Sequence, residues 1–260
     1  MATLGQFDDL AVEIGADFVA TVEIQRPPAN FFDQALIKSL ADAFEELDAE
    51  DGCRAIVLCS AGKHFCAGAN FAGKRTSLED ATGQHLYDEA VRLFATRTPV
   101  VAAVQGAAIG GGLGLALMPD FRVAVPEARF SANFARLGFH QGFGLSVTLP
   151  RLVGQQRAME LLYTGRRVPG EEALAIGLCD RLVALEDVRE EAHALAVEIA
   201  ISAPLAVDSI RETLRGDLAG EIRRATDREK AEQERLQTTE DFREGVRAMG
   251  ERRQPEFRGR

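Results

Sequence analysis

Residues 99–118 read PVVAAVQGAAIGGGLGLALM, and this stretch decides the fold. It contains no charged residue, and its length alone would match a membrane-spanning helix. Five glycines lie inside it, however, and four of them fall within GGGLG at residues 110–114. Glycine at this density disfavours a continuous helix, because it loses more backbone freedom than any other residue when it is fixed. The pattern therefore predicts a buried strand, a glycine turn and a short helix.

The segments before and after this stretch continue the alternation of strands and helices. Residues 18–24 alternate in side-chain direction as a strand does, and AIVLC at residues 55–59 is typical of a strand covered on both faces. Between them, Asp33 is placed to cap a helix with apolar side chains at helical spacing. Alternating strands and helices indicate the α/β class. The further predicted elements are a helix at residues 86–95 and strands at residues 99–104 and 121–125.

The last part of the chain has a different character. From residue 203 onward it is highly charged and helical in pattern, with few strand-forming residues, and Thr238 with Asp241 marks a helix start. We therefore divide the chain into an α/β core at residues 1–202 and a helical region at residues 203–260. The charge of this region suits a solvated bundle or a surface that packs against another subunit.

The composition excludes several classes of protein. Hydrophobic residues make up 46% and charged residues 27% of the 260, as in a globular domain with a sizeable core. A net charge of -10 disfavours nucleic-acid binding. The four cysteines form no Cys-x-x-Cys pair and have no zinc-like spacing to histidine, which predicts buried thiols in a reducing compartment. The first residues do not resemble a signal peptide, so we expect a cytoplasmic protein that binds neither membranes nor nucleic acids.

Two turns rich in small residues follow predicted strands, at residues 67–70 and 110–112. Small residues let a ligand approach the backbone, and two unpaired N–H groups that point at one place would stabilise an oxyanion. The glycine cluster is not a phosphate-binding P-loop, because no Lys-Ser or Lys-Thr follows it. It is not a dinucleotide-binding G-x-G-x-x-G either, because Leu115 or Leu117, depending on the register, stands at the position of the last glycine. From these residues alone, a turn with a purely structural role remains an alternative to an oxyanion site.

Four motifs, which follow one another over most of the chain, resemble the crotonase (enoyl-CoA hydratase/isomerase) family. Residues 63–70 read KHFCAGAN and are similar to the family's K-x-F-x-A-G-A-D. Residues 103–124, which contain the glycine cluster, are similar to A-V-N-G-x-A-x-G-G-G-x-E-L-A-x-x-C-D. Residues 128–154 match A-x-F-x-x-P-E and the glycine-rich loop after it, and residues 239–257 resemble the closing helix.

The resemblance implies a crotonase-like spiral of ββα units, with the CoA and acyl pocket in residues 1–202, and an acyl-CoA thioester as substrate. Coenzyme A then enters only as part of the substrate, and neither a prosthetic group nor a metal is expected. The two backbone amides that hold the thioester oxygen correspond to Ala69 and Gly111. A homotrimer or a dimer of trimers, packed through residues 203–260, is also implied. The positions that match CoA contacts are Pro28, Ala29 and Asn30 in one turn, Lys63, Ala67, and Arg252 toward a neighbouring subunit. Lys63 could equally be a solvated loop lysine.

Two positions depart from the family pattern and bear on the reaction. The family's hydratases carry one glutamate in G-G-G-x-E and another in x-P-E, and these positions here are Gly114 and Phe134. Hydration needs one group to activate water and one to deliver a proton, each worth roughly 10²–10⁴-fold. Neither glycine nor phenylalanine can do this, so hydration by two glutamates is not expected.

Other residues could supply acid–base chemistry in their place. His140 in GFHQGFG is the first candidate, since histidine titrates near neutral pH, although a lone loop histidine is more often solvated. His85 and Tyr87, on the helix before residue 99, are further candidates. Structural roles are expected for Asp120, His64 and Asn70, whereas Phe134, Phe139 and Phe143 would line an apolar acyl pocket or pack in the core.

These departures rank the reactions. Decarboxylation fits best, because stabilising a thioester enolate is most of what it requires. Double-bond isomerisation and thioester hydrolysis through His140 come next. The alternative from another class is a non-catalytic CoA-binding or assembly subunit that keeps the scaffold and has lost the chemistry.

Overall fold

The computed structural model describes residues 5–70 and 77–260. In this part of the chain, nine strands form two sheets. The larger sheet has the order β1-β2-β3-β4-β6-β9, with β1 antiparallel to β2 and all other neighbours parallel. The smaller sheet has the order β5-β7-β8. The strands are β1 Leu10–Ile14, β2 Val19–Ile24, β3 Ala55–Ser60, β4 Val100–Val104, β5 Ala107–Ile109, β6 Phe121–Ala124, β7 Arg129–Ser131, β8 Val168–Pro169 and β9 Arg181–Leu182.

Helices pack around both sheets, and the order of elements is that of a spiral. Strand β4 enters the large sheet, β5 the small sheet, and α3 follows; β6 and β7 repeat the pattern before α4. The predicted α/β spiral of ββα units is therefore confirmed. The helices are α1 Gln34–Asp48, α2 Leu86–Ala95, α3 Gly111–Leu117, α4 Leu145–Val153, α5 Gln155–Thr164, α6 Gly170–Ala175, α7 Val188–Ala200, α8 Pro204–Arg215, α9 Leu218–Gln237 and α10 Glu240–Gly250.

The stretch at residues 99–118 folds as its glycines predicted. All five residues of β4 are buried, and the chain then turns at Gly106, where φ is +66°. Gly110, with φ of +58°, precedes the first residue of α3. Strand β5 between them was not predicted, because three residues are too few to show a period. In the described part of the chain, no single helix is long and apolar enough to cross a membrane. Two consecutive segments, Leu185–Ala200 and Pro204–Arg215, reach that length and composition only when taken together, and they meet at an angle of 105°.

The C-terminal helices fold back onto the core. Helix α9 packs against α2 and α4, and α10 packs against a short 3₁₀ helix at Asn133–Leu137. The last helix begins one residue later than predicted: Thr239 is its cap and accepts a hydrogen bond from the Phe242 N–H (3.1 Å), whereas Thr238 ends α9. Thr238 was the wrong cap because two adjacent threonines give the same sequence signal.

Candidate active site

The two glycine turns lie against each other because backbone pairing joins them. The Ile109 N–H donates to the Cys66 carbonyl (3.0 Å). The two backbones also approach closely at the glycines on either side. A Cβ atom added to Gly68 would lie only 2.6 Å from the Ile109 carbonyl oxygen, and one added to Gly112 only 2.1 Å from the Cys66 carbonyl oxygen. Any side chain at either position would collide with backbone, so glycine is needed for the two turns to approach this closely.

Ala69 and Gly111, predicted to hold an oxyanion, line the same cavity of about 210 Å³. Gly111 is the first residue of α3, where the N–H has no partner within the helix. Within the described residues neither N–H donates to a protein acceptor, whereas the Ala67 N–H donates to the Ala29 carbonyl (2.9 Å). The structure thus brings both predicted residues to one cavity and leaves their N–H groups free to bind a ligand.

Aromatic rings form much of the cavity wall. Phe134, Phe139 and Phe143 all line it, and Phe32 joins them from the segment before α1. The ring centroids of Phe32 and Phe143 are 5.6 Å apart, and those of Phe134 and Phe139 are 5.4 Å apart. Tilted pairs at this separation are favourable aromatic contacts. The predicted apolar pocket is therefore present, and Phe31 and Phe32 line it in addition to the three phenylalanines that the sequence indicated.

Gly114 is buried behind Phe143. A Cβ on Gly114 would lie 2.6 Å from the Phe143 Cβ and 2.9 Å from a carbon of its ring. Phe143 is fully buried and adopts a φ of +59°, so its position is set by tight packing. A larger residue at position 114 therefore has no room unless Phe143 moves.

A hydrogen-bonded pair supplies polar atoms to the cavity wall. The Tyr87 hydroxyl donates to Gln233 Oε1 (2.9 Å). Gln233 Nε2 in turn donates to the His140 carbonyl (3.0 Å). Burial, and to a smaller extent the charge of Glu229, raises the pKa of Tyr87 above its usual value. The phenol therefore stays protonated near neutral pH.

The lining of the cavity carries no charge in the part of the chain that the structure describes. None of its described residues is an aspartate, glutamate, histidine, lysine or arginine, and Tyr87 is its one titratable side chain. The amides of Asn70, Asn133 and Gln233 are the other polar side chains. A cavity of this kind can hold and polarise a neutral carbonyl, but among these residues it offers no base.

The two histidines proposed for catalysis lie elsewhere. His140 is half-buried, its Nδ1 lies 2.9 Å from the Gln141 carbonyl, and it is absent from the cavity lining. His85 caps α2, where its Nδ1 accepts from the Tyr87 N–H (3.1 Å), and it lines a separate cleft with Lys230. Burial lowers the pKa of His85. Of the three acid–base candidates, the structure brings only Tyr87 to the cavity.

Most positions matched to CoA contacts come together where two loops meet, and Ala67 among them also lines the cavity. Asn30, fully buried, ties the turn at residues 28–30 to the next loop by donating from Nδ2 to the Ala61 carbonyl (2.8 Å) and the His64 carbonyl (2.6 Å). Pro28 and Lys63 are exposed at this junction, and Ala67 is bonded to Ala29 across it. Arg252 is exposed after α10, and no described contact joins it to this group.

Asp120 has the structural environment expected of it. Its carboxylate accepts from the Val100 N–H (2.8 Å) and pairs with Arg211 and Arg215 of α8 at 3.0 and 3.1 Å. Arg122, almost fully buried beside it, pairs with Asp180 at 3.0 Å. Burial lowers the pKa of Arg215 to about 10, and Asp120 opposes that shift. Asp120 thus holds α8 to the core, whereas Asp180 pairs with Arg122 of β6.

The remaining predicted residues have local roles or lie near the turns. His64 Nδ1 accepts from the Ala107 N–H (3.3 Å), and burial lowers its pKa. Asn70 lines the cavity. All four cysteines are free and buried as predicted, and burial raises the pKa of Cys66 to about 12, which removes it as a thiolate nucleophile. Across residues 5–70 and 77–260, no group of three or more His, Cys, Asp or Glu is placed to hold a metal ion.

Sequence reasoning missed several lining residues. Gln233 and Met249 come from α9 and α10, so the cavity takes side chains from both sides of the predicted boundary at residue 202. Nothing local in a charged helix marks these two residues. Asn133 also lines the cavity, and here a signal existed, because it replaces the proline of the family's x-P-E.

Comparison with known proteins agrees with this geometry. The family described as Enoyl-CoA hydratase/isomerase matches residues 15–260. The enoyl-CoA isomerase/hydratase of Zymoseptoria tritici is 35% identical over 262 residues, covering 93% of this chain and 84% of that protein. The crystal structure of an enoyl-CoA hydratase/isomerase from Pseudoalteromonas atlantica has a TM-score of 0.87 at 30% identity, covering 96% of this chain and all of that one.

A second solved structure extends the comparison. A carnitinyl-CoA dehydratase from Mycobacterium avium has a TM-score of 0.86 and 31% identity, over 97% of this chain and 99% of that one. The family match covers the strands, the two glycine turns and the C-terminal helices alike. The chain therefore belongs to the crotonase superfamily as a member of the enoyl-CoA hydratase/isomerase family, whose enzymes act on acyl-CoA thioesters.

Proposed function

We propose that this family member decarboxylates a 2-carboxyacyl-CoA through a thioester enolate. One observation carries the proposal: the described lining of the acyl cavity holds no carboxylate, imidazole, ammonium or guanidinium group. Hydration, isomerisation and thioester hydrolysis all need a group that moves a proton in the chemical step. Decarboxylation needs none to begin, because the breaking carbon–carbon bond itself supplies the electrons.

The enolate oxygen is the place where the protein must help. We assign that oxygen to the N–H groups of Ala69 and Gly111, which line the cavity together. Negative charge grows on the oxygen as the bond breaks, so fixed donors favour the transition state over the bound substrate. The loss of one such donor typically costs about 3 kcal/mol. Tyr87, with its pKa raised by burial, is no base in this scheme.

The proposal also accounts for the two positions at which the family's hydratases carry glutamate. Gly114 and Phe134 stand where the resemblance expects the two glutamates, and Phe143 fills the space next to Gly114. We place the CoA against Pro28, Ala29, Lys63 and Ala67, and the hydrogen bonds that join their two loops support this placement. Arg252 would act on the CoA of a neighbouring subunit in a trimer or dimer of trimers, in the cytoplasm.

The same uncharged lining favours one alternative, a CoA-binding subunit without turnover. Steady-state assays with malonyl-CoA, crotonyl-CoA, a 3-enoyl-CoA and an aryl-CoA ester separate the two. Release of CO₂ from the malonyl thioester, with little hydration of crotonyl-CoA, is the expected result. Binding of every ester without conversion of any would establish the alternative, and rapid hydration of crotonyl-CoA would contradict both.

Two variants test the assignment of groups. Ala69→Pro removes one N–H donor and is expected to lower the decarboxylation rate by about 10²-fold. Its melting temperature shows whether the loop has kept its fold. His140→Ala is expected to leave the rate unchanged, because His140 does not line the cavity. A large loss in His140→Ala would instead restore the histidine-dependent reactions as candidates.

A further inference from the structure

Asn133 places an amide inside the acyl cavity, beside the turn that carries Gly111. It is the first residue of the 3₁₀ helix Asn133–Leu137, and it is half-buried in the cavity lining. Its Oδ1 lies 3.3 Å from the point where a Cβ on Gly110 would stand. The amide therefore lies one residue away from the N–H group assigned to the enolate oxygen.

In the part of the chain that the structure describes, this amide has no hydrogen-bond partner, and it is accessible rather than sealed in the interior. Tyr87 and Gln233, the polar pair on the cavity wall, are bonded to each other, so their capacity is largely used. An asparagine amide offers two N–H donors and an acceptor oxygen to a ligand. An unpaired amide that faces a cavity beside an oxyanion site is suited to bind a substrate.

We propose that Asn133 binds the carboxylate that the substrate loses, which makes 2-carboxyacyl-CoA thioesters the substrate class of this cavity. The inference rests on the proposed decarboxylation. The carboxylate is charged in the substrate and uncharged as CO₂, so a cationic partner would hold the ground state more tightly than the transition state. One neutral amide, with the apolar Phe134 and Leu137 nearby, anchors the carboxylate without that penalty.

In the reaction, the bond between C2 and the carboxylate carbon breaks. Its electron pair forms the enolate, whose oxygen accepts from the Ala69 and Gly111 N–H groups, and the carboxylate leaves as CO₂. A proton from solvent water then adds to C2 and restores the thioester. The breaking bond must stand perpendicular to the thioester plane, so the Asn133 amide fixes the rotation that alignment requires.

The test compares malonyl-CoA with acetyl-CoA, which differ only in the carboxylate, in the wild type, Asn133→Ala and Asn133→Asp. Asn133→Ala is expected to lower kcat/KM for malonyl-CoA at least tenfold, since a hydrogen bond to a charged group is lost. Asn133→Asp, nearly the same shape, is expected to lose more because two carboxylates then repel. Inhibition by acetyl-CoA should be unchanged in both variants, which also shows that the cavity is intact. Equal losses for both thioesters, or no loss, would overturn the role of Asn133.

Failure of the proposed reaction is distinguishable from failure of this inference. Should the wild type release no CO₂, calorimetry gives the dissociation constants of both thioesters without turnover. A preference for malonyl-CoA that disappears in Asn133→Ala then still supports Asn133 as the carboxylate site, while the decarboxylation is refuted. Identical dissociation constants in wild type and variant reject the site itself.

Discussion

The acyl cavity and the cluster around Asp120 are both interior regions, yet they treat charge in opposite ways. The described cavity lining has no charged side chain. The cluster concentrates three arginines and two aspartates where β4, β6 and α8 meet. Helix α8 has no buried residue, so Arg211 and Arg215 are its main attachment to the core. Charged side chains thus attach α8 to the core in the Asp120 cluster. They are excluded from the described lining of the acyl cavity, where the proposed chemistry depends on neutral hydrogen-bond donors.

The largest expected effect is on the charged region. Asp120→Asn leaves Arg211 and Arg215 without their shared carboxylate, and breaking this largely buried pair from one side is expected to cost about 3 kcal/mol. The free energy of unfolding in denaturant measures the loss. Asp208→Asn, on the exposed side of the same helix, is the matched control and should change stability by less than about 0.5 kcal/mol. Equal stability of the two variants would contradict the view that Asp120 anchors α8.

A second prediction puts charge into the uncharged region. Gly114→Glu forces a side chain against Phe143 and is expected to destabilise the protein by about 3 kcal/mol, with no gain in crotonyl-CoA hydration. Gly250→Glu is the control, because no atom lies within 4 Å of a Cβ at that position. A stable Gly114→Glu protein that hydrates crotonyl-CoA would show that Phe143 moves aside readily.

A smaller effect is expected at the polar pair of the cavity wall. Tyr87→Phe removes the bond to Gln233 and should cost about 1 kcal/mol of unfolding free energy. The decarboxylation rate should change by less than about tenfold, because the hydroxyl is not a base. Tyr163→Phe, with the phenol 71% exposed, is the matched control for stability. A rate loss of 10³-fold in Tyr87→Phe would assign the hydroxyl a catalytic role.

The smallest expected effect is the pH dependence of the rate. Burial raises the pKa of Tyr87, so this group stays protonated and kcat should be flat from about pH 6 to about pH 9. Because the pKa of Tyr87 is higher in the folded than in the unfolded protein, the folded state is favoured fully below the unfolded pKa of about 10. The contribution of Tyr87 to the free energy of unfolding should therefore fall only above about pH 10. A bell-shaped profile centred near neutral pH would reveal an acid–base group outside the described lining.

Local sequence signals predicted the elements with strong periodicity. The helix expected at residues 86–95 is α2, Leu86–Ala95, and AIVLC lies within the fully buried β3. Asp33 caps α1 as expected, since its side chain accepts from the Leu36 N–H (3.0 Å). The short strands of the smaller sheet were missed, because two or three residues cannot display a period and form only when a neighbour supplies the partner.

The site divides in the same way. The two turns were recognisable from the sequence because close contact between backbones requires glycine, and Gly68 and Gly112 stand at the points of contact. Gln233 was not recognisable, because it reaches the cavity through a contact with Tyr87, 146 residues away along the chain. His140 was attractive in sequence, yet its ring is directed toward the Gln141 carbonyl.

The sequence by itself determined the family, the alternation of the longer strands and helices, the two turns, and the absence of glutamate at positions 114 and 134. Only the tertiary structure decided which side chains share the cavity, that Phe143 fills the space beside Gly114, and that Asn133 lies beside the Gly110 turn. The physical reason is range. Backbone geometry and periodicity act over a few residues, whereas a cavity is formed by side chains from distant segments, and its polarity depends on which of them packing brings together.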